Sequence, residues 1–306
     1  LFSFALHDSV PAMSETLLLV DAYSMIYRAF FAIRSLTGPQ GQPVNAIYGF
    51  TKMLRKLLAT HRPTHCAVVF DLGAPAKRLA VLPSYKEQRP PTPPDLDAQL
   101  PAIRDVLAAL RVPVVEVHGE EADDLIATLA THAGMSVLIA SNDKDFTQIV
   151  RPGIVLLRPG TEEEAVFDAA AVEARYGVRP EQMVDYLSLV GDSVDNIPGV
   201  PGVGEKTAAD LLRRYRDLDH LLKHAAEIPK PKLRDALLAS ADRLRRNREL
   251  IALHTDVKLP VALPDLKVAR ADYPTLTGLL QQLGFKSLVA ELQKESAASD
   301  DLFAGV

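Results

Sequence analysis

The chain has 306 residues, of which 48% are hydrophobic and 24% charged, and it carries a formal net charge of −5. This balance suits one large or two modest globular domains and excludes a disordered, collagen-like or disulfide-stapled chain. No apolar run approaches the ~18 residues of a membrane-spanning helix, so no membrane partner is expected. The single cysteine, Cys66, has no partner for a disulfide or a thiolate cluster, which fits a reducing cytoplasm. Residues 1–12 have an apolar start but no basic n-region, so they read as an upstream extension before Met13 rather than a secretory signal.

The run TLLLVD predicts a buried strand ending in Asp21, and residues 45–60 carry apolar positions at helical spacing. THCAVVFD then predicts a second buried strand ending at Asp71. Strand, helix, strand implies a parallel crossover. VPVVEV followed by EADDLIATLATHA, and SVLIASND followed by KDFTQIV, continue the alternation and predict an α/β core over 13–165 with a mostly parallel sheet flanked by helices. Residues 74–101 interrupt it with seven prolines around YKEQR and read as a mobile excursion. From 166 to 295 the pattern is helical, and 296–306 reads as a linker-like tail.

Acids recur at one place in this plan, just past the carboxyl ends of apolar strands, the edge at which open parallel sheets bind ligands. Asp21 and Asp71 stand singly, Glu121, Asp123 and Asp124 fall in EADD, Asp143 and Asp145 in NDKD, and Asp192 and Asp195 in GDSVDN. Any one cluster taken alone reads more readily as a helix cap than as a metal site. Taken together, so many carboxylates at one sheet edge call for cations, and hard divalent ions take oxygen ligands. Glu121 and Asp124 share a helix face at i and i+3, with Asp123 off it, while Asp143 and Asp145 share one side of an extended segment. Apart from these nine acids the chain is mildly basic, so the net charge does not argue against a nucleic-acid partner.

NIPGVPGVGEKTAADLL places Gly199, Gly202 and Gly204, with Val203 between them, ahead of Lys206 and Thr207 at the start of a helix. Such a helix-hairpin-helix lets backbone amides approach DNA phosphates, although a plain interhelical turn also uses Gly and Pro. Arg28, Arg78, Lys86 and Arg89 lie near the acidic edge as candidates to hold the scissile phosphate, with Tyr85 as a base-stacking candidate.

In order and spacing, LLLVDAYSMIYRAFFA, VVFD, YKEQRPPTP, EEADDLIATLA, SNDKDFTQIV and GDSVDNIPGVPGVGEKTAADLL resemble the 5′ nuclease domains of bacterial DNA polymerase I, in the flap endonuclease family. The resemblance runs from about Leu17 to about Leu292. It implies a PIN-like fold with a helical arch near 74–101 and a two-metal active site using Mg²⁺, with Mn²⁺ as a possible substitute. Asp21, Asp71, Glu121 and Asp123 would serve chiefly the first ion, Asp143, Asp145 and Asp192 the second, with Asp124 and Asp195 in support. It also implies K⁺ at the hairpin over 196–207. The implied partner is DNA with a 5′ flap, nick or 5′ end, or an RNA primer–DNA hybrid, cut by a monomer in the nucleoid. A tail of this kind fits a domain joined to a polymerase region. A PIN-type ribonuclease and a non-catalytic DNA-binding module are the rival readings.

Overall fold

A computed structural model describes residues 15–160 and 164–303; the upstream extension lies outside them. At the centre, β1 (Thr16–Asp21) pairs in parallel with β2 (His65–Val69) on one side and β4 (Ser136–Ala140) on the other. Its apolar run has no polar face because both faces are covered. Leu17 and Leu19 enter one apolar cluster, and Leu18 and Val20 enter the other. With β3 (Val114–Val115), β5 (Ile154–Pro159) and β6 (Glu164–Phe167) the sheet has the order β3-β2-β1-β4-β5-β6. Only β6, at the edge, is antiparallel. The α/β expectation therefore holds, although VPVVEV contributes just two residues to the ladder.

Helices α1 (Ala22–Ala32), α2 (Asn45–His61) and α5 (Leu100–Ala109) bury their apolar stripes in the cluster containing Leu18. Helix α6 (Ala122–His132) packs on the opposite face against β1. The expected helix after Asp143 is a short 3₁₀ turn, Asp145–Ile149.

The proline-rich excursion packs down instead of standing free. It folds as α3 (Ala76–Val81), a turn, and α4 (Pro94–Asp97), with Arg78, Tyr85, Leu96 and Gln99 all buried. Ring-constrained backbone loses little entropy on ordering, and these four side chains find partners in the body of the protein.

Beyond β6 the chain is helical: α7 (Ala169–Tyr176), α8 (Met183–Val190), α9 (Glu205–Tyr215), α10 (Leu218–Lys223), α11 (Pro231–Ala239) and α12 (Ala241–Ile251). Two short antiparallel strands, β7 (Gly191–Asp192) and β8 (Ile197–Pro198), interrupt it between α8 and α9. Asn247 on α12 anchors this hairpin by donating to the carbonyls of Ser188 (3.2 Å) and Pro198 (2.8 Å). Finally α13 (Tyr273–Gln282) and α14 (Lys286–Phe303) return to the α2 side. The expected frayed tail continues the backbone of α14 as far as Phe303. Among the described residues no helix is long and apolar enough to cross a membrane.

Candidate active site

Parallel pairing of β2, β1 and β4 brings their carboxyl ends to one edge, and a cleft of about 540 Å³ opens there. Seven of the nine predicted acids line it: Asp21, Asp71, Asp123, Asp143, Asp145, Asp192 and Asp195. Asp21, the last residue of β1, is 6% exposed and accepts from Ser141 Oγ at 2.7 Å and from the Ser24 amide at 3.1 Å. The same Ser141 Oγ accepts from the Asp143 amide at 3.0 Å, which ties the end of β4 to the end of β1. Asp143 Oδ1 accepts from the Asp145 amide at 2.9 Å, so these two acids sit in a tight turn and not on the expected extended segment. Asp71, two residues past the end of β2, reaches across, its Oδ1 accepting from the Ala122 amide at 2.9 Å.

The first turn of α6 divides its acids differently from expectation. Glu121 and Asp124 do share a face, but that face turns away from the cleft lining, and Asp123 lines the cleft. Arg78, 5% exposed, pairs with Glu121 and with both oxygens of Asp124. Its remaining donors go to the carbonyls of Leu250 (2.9 Å) and Ala252 (3.3 Å). Asp124 also accepts from the His254 amide at 2.8 Å. Arg78, expected as a phosphate contact, is therefore an internal tie between α3, α6 and the end of α12. Tyr85, expected to stack on a base, is 6% exposed, and its hydroxyl donates to Asp195 at 3.1 Å.

Lys86 and Arg89 do line the cleft. Lys86 pairs with Glu121, and Arg89 with Asp195 at 2.7 Å. Arg28, half-buried on α1, does not line it. The β7–β8 hairpin presents Asp192, which pairs with Lys144 and accepts from the Val194 amide at 2.8 Å.

Crowding shows in the proton affinities. Burial, then the charges of Asp71 and Asp143 working against hydrogen bonds from Ser141 and Ser24, pushes Asp21 up to about 7. Asp145 rises to about 8 through burial and then the neighbouring Asp143 charge. Asp123 is raised well above the carboxylate range by burial and by Asp143. Asp192 runs the other way: burial opposes its charge, but Lys144 and two backbone amides outweigh that and hold it low.

The donor set fits hard divalent cations. It is all oxygen, it holds seven carboxylates against four cationic side chains, and Oδ1 of Asp145 is buried with no hydrogen-bond partner. Behind α6, Glu120, Asp124 and His254 also bring three possible ligand atoms together, but Lys77 and Arg78 already pair with the two carboxylates.

Several cleft residues escaped sequence reasoning: Tyr23, Tyr27, Asn142, Lys144, Arg158 and Tyr176. Tyr23 and Tyr27 follow Asp21 on the first turns of α1, where helical spacing from a candidate ligand is a usable signal. Arg158 and Tyr176 carry no local signal, since only the β5–β6 and α7 packing brings them in.

At the glycine hairpin, a Cβ on Gly199 would lie 2.2 Å from the Val190 carbonyl oxygen, so this glycine serves the close approach of β8 to the end of α8. Gly202 (φ +80°) and Gly204 face open space. Gly204 caps α9 without a side chain, and Lys206 is exposed on its first turn with Thr207 half-buried beside it; Val203 is buried beneath.

Two family descriptions match nearly the whole chain. Residues 16–177 match the 5′-3′ exonuclease N-terminal resolvase-like domain, and residues 178–274 match the 5′-3′ exonuclease C-terminal SAM fold. A 5′-3′ exonuclease of Aquifex aeolicus is 40% identical over 287 residues, covering 92% of this chain and 96% of the relative. DNA polymerase I of Bacillus caldotenax is 38% identical over 293 residues, covering 94% of this chain and 33% of the relative. The chain thus spans about a third of the length of that polymerase. A bacteriophage T5 flap endonuclease, solved as a pseudo-enzyme–product complex with DNA and metal ions, shares the fold. Its TM-score is 0.66 at 21% identity, with 92% of this chain and 97% of that chain covered. Sheet and helical half together have the two-part organisation of the 5′-3′ exonuclease family descriptions. The chain belongs to the 5′-3′ exonuclease family.

Proposed function

We propose that the protein is a structure-specific 5′ nuclease that hydrolyses phosphodiesters near 5′ ends and 5′ flaps of DNA with two Mg²⁺ ions, as in primer removal and repair. The carrying observation is the convergence of seven carboxylates on one cleft, with an unpartnered buried oxygen on Asp145. When bound, two divalent cations supply a water nucleophile acidified toward neutrality and charge stabilisation at the leaving 3′ oxygen.

In this reading Asp21, Asp71 and Asp123 hold one ion, and Asp143, Asp145 and Asp192 the other. Glu121 and Asp124 act from behind α6 and Asp195 from the cleft wall, by orienting Arg78, Lys86 and Arg89. Lys86 and Arg89 exchange their carboxylate partners for phosphate oxygens when the strand enters. Gly202, Gly204, Lys206 and Thr207 hold duplex phosphates, with K⁺ as the hairpin's cation. Mn²⁺ in place of Mg²⁺, an RNA primer as the cleaved strand, a linked polymerase region and a cytoplasmic, monomeric protein belong to the same reading.

The test is incubation of 5′-flap DNA and a matched RNA flap with the protein, with and without Mg²⁺. Mg²⁺-dependent release of a 5′ product from DNA supports the proposal. Cleavage confined to RNA would favour a PIN-type ribonuclease, and binding without cleavage a non-catalytic module.

A further inference from the structure

Among the described residues, the cleft's cationic side chains divide into three that are paired and one that is not. Lys86 is held by Glu121, Arg89 by Asp195 and Lys144 by Asp192. Arg158 has no carboxylate partner, although seven acids line the same cleft. Its guanidinium lies 4.3 Å over the Phe167 ring, and one terminal nitrogen donates to Tyr176 Oη at 3.2 Å. Its Nε is buried and meets no acceptor. Arg243 Nε is also buried and unmade, but it lies outside the cleft; at Arg158 the unmade donor lies in the cleft, where an acceptor that entered would recover the lost bond.

We infer that Arg158 binds a phosphodiester of the substrate strand next to the scissile one, an inference that rests on the nuclease reading above. A phosphate offers two oxygens to the flat guanidinium fork, and the aromatic seat fixes that fork before the ligand enters. The sheet supplies the register. Arg158 lies on β5, two strands from β1, so at ~4.8 Å per strand it stands roughly 10 Å from the Asp21 position. The two positions stand apart on the cleft floor, with β4 between them, so the fork is offered from the β5 side, to the neighbouring link in the chain. Lys86 and Arg89 reach the cleft from the packed-down arch, so the strand is gripped from two directions.

The experiment measures binding of the whole protein to 5′-flap DNA over a salt series, with Ca²⁺ replacing Mg²⁺ to limit turnover, and compares wild type with Arg158→Gln and Arg158→Lys. Arg158→Gln should weaken binding about ten-fold and flatten the slope of log Kd against log salt by about 0.7 to 0.9, one phosphate contact. Arg158→Lys should keep the slope, because the charge remains, and lose about three- to five-fold in affinity with the fork. Circular dichroism and melting report the fold. A folded Arg158→Gln with wild-type affinity and slope overturns the inference. So does a lowered Tm with unchanged affinity, since that outcome makes Arg158 a packing residue alone. Should Arg158→Gln fail to fold, wild-type affinity in Arg158→Lys overturns it. If wild type neither binds nor cuts the flap, the nuclease reading falls first. If wild type does both and the variants match it, only this inference falls.

Discussion

Asp123 and Asp124 are neighbours in the chain and face opposite ways: Asp123 lines the carboxylate cleft, while Asp124, 1% exposed, is clasped by Arg78 behind α6. One turn of helix thus carries both a candidate metal ligand and the group that anchors α3 of the 74–101 segment to the core.

That anchor makes Arg78 a stability residue. Arg78→Met leaves Glu121 and Asp124 short of a cation in the interior, and loss of one partner of a buried pair costs about 3–5 kcal/mol. Urea unfolding should show the loss. Unchanged stability with lowered cleavage would return Arg78 to the phosphate-contact role that its position in the chain suggested.

Asp143 touches the site twice, through its own oxygens and through the charge it sets against Asp21, Asp123 and Asp145. Asp143→Ala should reduce cleavage by more than the ~100-fold seen when a group supporting a metal ligand is lost. Flap-DNA binding should stay within a few-fold of wild type. Near-normal single-turnover cleavage would remove Asp143 from the metal set.

Without metal, the cleft should make the protein less stable as pH rises. Asp21 and Asp145 have folded pKa values of about 7 and about 8 against 3.8 in the unfolded chain, so between these limits the native state binds more protons. The stabilisation is complete below about pH 3.8 for these groups and is lost as pH climbs through 7 to 8. In EDTA, Tm should fall across that window, and added Mg²⁺ should raise Tm more at pH 8 than at pH 6. A Mg²⁺ increment that is flat with pH would contradict the assignment.

Lys86 pairs with Glu121 at the cleft wall. Lys86→Ala should slow single-turnover cleavage on the order of 10²- to 10³-fold while leaving duplex affinity within a few-fold. An unchanged rate would take Lys86 out of the mechanism.

The hairpin glycines should separate by role. Gly199→Ala drives a methyl group into the Val190 and Leu189 carbonyls, which cannot step aside, and should cost more than about 3 kcal/mol. Gly204→Ala meets nothing within 4 Å and changes only a cap, at under about 1 kcal/mol. A loss of duplex affinity in Gly204→Ala beyond that figure measures phosphate approach at the backbone.

Strands such as TLLLVD and HCAVV were legible because an unbroken apolar run has one packed solution, a strand covered on both faces, and the acid that follows then has to lie at the edge. The helical spacing of Glu121 and Asp124 was equally legible, but not the side of α6 that meets the cleft. That is decided by Arg78, 43 residues away in sequence from Glu121. Tyr85 misled for a related reason: proline-rich composition signals loop, and only the body beneath it determines whether the loop lifts or lies flat. Arg158 sits in IVLLRP, where local pattern shows the end of an apolar strand and nothing of its neighbours across the cleft.

The cleft draws Asp21 and Asp145 from the segment matching the N-terminal family description, and Asp192 from the segment matching the C-terminal one. A ribosome must therefore release the β7–β8 hairpin before the last carboxylate can arrive. On the nuclease reading proposed above, the carboxylate set is incomplete until then, and neither half separated from the other should cleave 5′-flap DNA.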